Sequence, residues 1–91
     1  MPPPGTLPVD AAAIERVILD LLDRRAMGAS LCPSEVARAV GGAAWRARMD
    51  DVRAVAVALA RDGRLAITQR GAVLDPRQPL RGPIRLARPP G

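Results

Sequence analysis

A short Pro-led helix closed by paired glycines, two longer helical periodicities flanking it, and an alternating stretch broken by Arg-Gly together predict the fold class. It is α+β and mainly α: a winged helix-turn-helix of three helices and a small antiparallel β wing. The chain of 91 residues divides into a disordered Pro-rich tail over 1–9, one domain over 10–88 and a loose end over 89–91.

The first helix starts behind Asp10, a good N-cap residue, and carries Ile14, Val17, Ile18, Leu21 and Leu22 at spacings of three and four. Arg24 and Arg25 close its last turn, and Gly28 stops it. Its polar face mixes Glu15, Arg16, Asp20, Asp23 and Arg24 without cationic excess, so it reads as a core helix rather than one lying on a membrane.

The pivot of the chain is Leu31–Gly42. Pro33 fits only a first helical turn, where its missing N–H has no partner to lose. Cys32 then falls at the N-cap and Glu35 at the third helical position, where its charge complements the helix dipole. Val36 and Val40 share a face. Ala37 and Gly41, four apart, suit the close crossing of a second helix, and Gly41-Gly42 supply the positive φ that ends this one.

The third helix is predicted from about Ala44 to Asp62, with Trp45, Met49, Val52, Ala56 and Leu59 on its apolar side and Gly63 behind it. Alternation in Leu65–Gln69 and Ala72–Asp75, with Arg70-Gly71 between, predicts a hairpin pairing Gln69 with Ala72 and Ile67 with Leu74. After a Pro- and Arg-rich connection, Ile84 and Leu86 alternate with Arg85 as a third strand.

Composition narrows the function. With one Trp and no Tyr or Phe, stacking platforms for RNA or single strands are not expected. A single Cys allows no internal disulfide. No basic leader or long apolar run is visible, so a soluble, cytoplasmic protein without membrane contact is expected. The basic residues are all Arg, and the formal net charge is +5. Residues 64–91 carry six Arg against Asp75 alone, so the surplus lies in the C-terminal third.

The pieces Cys32–Arg38 (C-P-S-E-V-A-R), Trp45–Met49 (W-R-A-R-M), Val52-Arg53, Ile67–Gly71 (I-T-Q-R-G) and Gly82–Leu86 (G-P-I-R-L) give the chain a further reading. It resembles a family of small bacterial proteins known as domain of unknown function 3253. The resemblance implies a winged-helix fold and no assigned activity.

Candidate functional residues follow from charge. Arg64, Arg70, Arg77, Arg81 and Arg85 surround the wing, where Arg70 at the hairpin tip would enter a minor groove and the others would meet phosphates of double-stranded DNA. The plain alternative is that Arg is the ordinary surface cation of an Arg-biased composition. On helix three, Arg46 and Arg53 fall on one side at 100° per residue, with Asp50 between them. They read either as phosphate contacts or as a solvated face of paired charges. A second function class is a protein–protein adaptor, including a homodimer, that pairs through the C-terminal strand as a sheet edge. Trp45 reads as a core anchor beneath helix one, or as an exposed hot spot. No His exists to act as base beside Cys32 or Ser34, so no enzyme is expected, nor any cofactor, metal or small-molecule ligand.

Overall fold

Residues 7–89 are described by the computed structural model; the expected disorder of residues 1–6 and the looseness of 90 and 91 lie outside the described residues. The elements run α1 (Ala11–Asp23), β1 (Ser30–Leu31), α2 (Pro33–Gly41), a 3-10 segment (Gly42–Arg48), α3 (Met49–Arg61), β2 (Ala66–Gln69), β3 (Ala72–Val73) and β4 (Arg85–Ala87). The architecture is α+β and helix-rich.

Ile14, Ile18 and Leu22 supply the buried stripe of α1, one turn apart each, while Val17 and Leu21 flank it half-buried. Asp10 stands at the N-cap, but its carboxylate makes no cap hydrogen bond. It pairs instead with Arg48, 38 positions along the chain. An ion pair available across the fold has displaced the local cap.

Pro33 opens α2 as expected, and Glu35 closes a capping box by accepting the Cys32 N–H at 2.8 Å. Gly42, at φ 56°, ends the helix. Ala37 is fully buried. Gly41 differs from its expected role: a Cβ there would sit 2.7 Å from Cγ of Arg48, so the glycine admits an arginine stem and not a crossing helix.

The third helix begins later than its periodicity predicts. Gly42–Arg48 winds as 3-10, Ala44 breaks it at φ −94° and ψ 22°, and the α-helix proper runs from Met49. The positive φ at Gly42 turns the chain, and Arg48 over Gly41 then holds the tight segment in place. Successive 3-10 residues step by about 120°, so Trp45 and Arg46 leave the faces that a continuous α-helix would give them. Val52, Val55, Ala56 and Leu59 form the buried side of α3.

The hairpin has the expected register, with Gln69 opposite Ala72 and the Leu74 N–H donating to Ile67 O at 2.8 Å. Arg70 and Gly71 both take positive φ, 54° and 84°, as a two-residue hairpin turn demands. The sheet order is β1-β4-β2-β3. The C-terminal strand is therefore interior, hydrogen-bonded to β1 on one side and β2 on the other. The third strand completes the domain's own sheet as expected, and the alternative of a free pairing edge is corrected: β1, two residues between α1 and α2, occupies the side that a partner would need. Leu31, Leu86 and Ile67 stand in one cross-strand row, all fully buried, and meet the apolar sides of the three α-helices.

Candidate functional site

Where the hairpin, the last strand and α3 meet, the chain turns through an elbow at Arg81-Gly82-Pro83. The Gln69 side-chain amide donates to Arg81 O at 2.6 Å and to Pro83 O at 2.9 Å. From α3, Arg53 donates to Gly82 O at 3.3 Å. Gly82 sits at φ 73°, which lets the backbone turn its carbonyls toward these two donors. Two side chains from separate elements thus fix a segment that composition alone marks as an irregular connection.

Four of the expected site arginines gather around this elbow. Arg53 is tied to it. Arg70 lies exposed at the neighbouring hairpin tip, and Arg81 is exposed on the elbow itself. Neither pairs with a carboxylate among the described residues. Arg85 leans across the outer side of the sheet, where its Nε donates to Ser30 Oγ at 2.9 Å and a terminal nitrogen donates to Ser30 O at 3.1 Å. A guanidinium bonded to carbonyls and hydroxyls keeps its full charge, so Arg53, Arg70 and Arg81 stay uncancelled, while Arg85 lies in the field of Glu35 and helps hold that carboxyl low. Gln69, Arg70, Pro83, Ile84 and Arg85 line a shallow depression of about 320 Å³ beside the elbow.

The remaining expected arginines lie elsewhere. Arg64 pairs with Glu15 of α1, away from the hairpin tip. Arg77 is locked to Asp75, whose Oδ1 accepts both its backbone N–H at 2.9 Å and its Nε at 3.3 Å. Those bonds, the backbone one foremost, hold the Asp75 carboxyl below the usual carboxylate range. Arg46 does not join Arg53, and neither pairs with Asp50. It rests on the Trp45 ring together with Arg38 of α2, each guanidinium carbon 4.5 Å from the ring centroid. Trp45 is half-buried and packs against the hydrophobic core, with Arg38 of α2 on its ring.

Charge reading along the sequence missed two participants. Gln69 is neutral, and only its position at the last hairpin residue places its amide over the elbow. Arg38 was hidden inside the capping region of α2, and no local signal links it to Trp45 seven residues on. Arg88, at the end of the chain, donates to the carbonyls of Leu22, Asp23 and Arg25 at 2.8 to 3.1 Å and so closes the C-terminus of α1.

These features define a small helix-rich α+β domain whose uncancelled cations collect at one elbow of its sheet. The chain belongs to the family described as protein of unknown function (DUF3253), whose model matches residues 11–89. Among curated proteins, none matches it. No helix among the described residues is long and apolar enough to cross a membrane.

Proposed function

We propose that the domain is a winged-helix module that binds the sugar-phosphate backbone of nucleic acid, double-stranded DNA in the first instance, and catalyses no reaction. One observation carries this reading. Arg70 and Arg85 line one depression beside the elbow, Arg81 is exposed on the elbow and Arg53 reaches it from α3. No carboxylate forms an ion pair with any of them among the described residues, although Arg85 lies in the field of Glu35. The order of helices, with a hairpin after the third, supports reading that hairpin as the wing. Asp50 and Asp51 in the first turn of α3 would repel phosphate, which supports a wing-led contact over insertion of α3.

The test is anisotropy of a labelled random-sequence duplex titrated with the full chain at several salt concentrations. Affinity is expected to fall steeply with salt. A double variant, Arg70→Ala with Arg81→Ala, should bind about tenfold more weakly, with the log–log salt slope smaller by about 1.8, two phosphate contacts' worth. Both residues are exposed, so the variant should keep the native thermal midpoint. Absence of binding at low salt, or an unchanged slope in the double variant, overturns the proposal.

A further inference from the structure

The elbow at Arg81-Gly82-Pro83 is held in one particular sense. Three successive carbonyls are engaged by donors from β2 and α3: Arg81 O and Pro83 O by the Gln69 amide, and Gly82 O by Arg53. In a trans peptide the C=O and the following N–H point opposite ways, and no cis peptide interrupts the described residues. Turning Arg81 O onto Gln69 therefore turns the Gly82 N–H away from it. Gly82 is exposed, and its N–H meets no acceptor among the described residues. The negative ends of these peptides are thus covered by Gln69 and Arg53, while a backbone donor stands open next to the exposed Arg81. The adjoining depression of about 320 Å³ is lined by Gln69, Arg70, Pro83, Ile84 and Arg85, with no carboxylate among them.

We infer that Gln69 is the positioning residue of a phosphate seat at the elbow, in which the Gly82 N–H and the Arg81 side chain hold one phosphate group of a nucleic-acid backbone. This role rests on the duplex-binding reading above, and it adds to that reading a neutral residue and a main-chain donor. Gln69 acts through the elbow and not by touching phosphate. By fixing a glycine-containing turn beforehand, it removes ordering that a loose turn would undergo on binding. By keeping the carbonyls of Arg81 and Pro83 engaged, it also keeps two partial negative charges off the phosphate.

An NMR titration of the isotope-labelled full chain with a short DNA duplex tests this, alongside duplex anisotropy at one salt concentration. In the native chain the Gly82 amide should shift saturably. Gln69→Leu removes the donor and no charge; it should lose that shift and bind the duplex roughly five- to tenfold more weakly. Gln69→Lys, whose ammonium can donate to the same carbonyls, should restore the shift. Gln69→Leu and Arg81→Ala should be coupled, the double variant losing less affinity than the product of the two single losses. A side chain that merely stabilises the fold would leave the two losses independent.

Native affinity in Gln69→Leu, or independent losses, overturns the inference and leaves the duplex reading standing. So does an unmoved Gly82 amide in a native chain that binds duplex, a result that needs no variant to fold. A native chain that binds no duplex overturns both. An equal Gly82 shift with polyglutamate would assign the seat to carboxylates and overturn it as well.

Discussion

Arginines at the helical end of the molecule and arginines around the elbow meet different acceptors. Arg24, Arg25 and Arg48 each face carboxylates, on Asp20, Glu35, and Asp10 with Asp51. Around the elbow, Arg53 and Arg85 face carbonyl and hydroxyl oxygens, while Arg70 and Arg81 have no carboxylate partner among the described residues. The first kind of contact removes charge from the surface as it joins elements; the second joins elements and leaves the charge outside. One residue type therefore serves as a clasp in one region and as a source of field in the other. What separates the two uses is the acceptor, which a count of basic residues does not contain.

The comparison can be broken most severely through what both regions share. Leu86→Ala empties the centre of the Leu31–Leu86–Ile67 row and should lower stability by about 2–5 kcal/mol in denaturant unfolding, disturbing clasp and elbow together. Gly41→Ala acts on the clasp alone. Its new Cβ would meet the stem of Arg48 at 2.7 Å, so Arg48 must shift off Asp10 and Asp51, with an expected loss of about 1–3 kcal/mol. Duplex affinity should survive that change wherever the protein remains folded.

Acid sharpens the same contrast. Hydrogen bonding to Arg48 holds the Asp10 carboxyl below the usual carboxylate range, and the Cys32 N–H, with Arg25, does so for Glu35. Both carboxyls are lowered on folding, so their contribution is fully present above the unfolded values near 4 and is lost as pH falls through the folded ones. Thermal midpoints should accordingly drop as pH is taken from about 5 to 2.5. Asp10→Asn should flatten part of that fall. The smallest effect is expected at Arg24→Ala, which removes an exposed pair one turn apart on α1 and should change stability by less than about 0.5 kcal/mol.

Much of this fold is legible along the chain because its signals are local. Pro33 marks a first turn, Arg70-Gly71 a hairpin, and the repeat from Ile14 to Leu22 a buried stripe, each within a few residues of what it determines. The 3-10 segment is not legible, since nothing from Ala43 to Arg48 is a helix breaker and the periodicity carries through it. It goes with the positive φ at Gly42 and the Arg48 stem lying over Gly41, a contact between residues seven apart. The partner of Asp10 is likewise a matter of tertiary distance. β1 has two residues and announces itself by no alternation, so the interior place of β4, which depends on it, was out of reach. The arginines of the candidate site were readable as a set. Their sorting into clasps and free cations depended on Ser30, Glu15, Asp75 and Gln69, three of them on other elements.

The interior place of β4 joins β1, between the first two helices, to the hairpin. β1, from near residue 30, finds its hydrogen-bonding neighbour, and β2, already paired with β3, its second one, only when residues 85–87 arrive between them. A nascent polypeptide can wind its helices and close its hairpin, yet β1 and one flank of β2 stay open until residues 85–87 emerge. Joining β1 to the hairpin therefore waits on residues 85–87. A chain cut short of Arg85 would present those flanks to its neighbours, and self-association would be its characteristic failure.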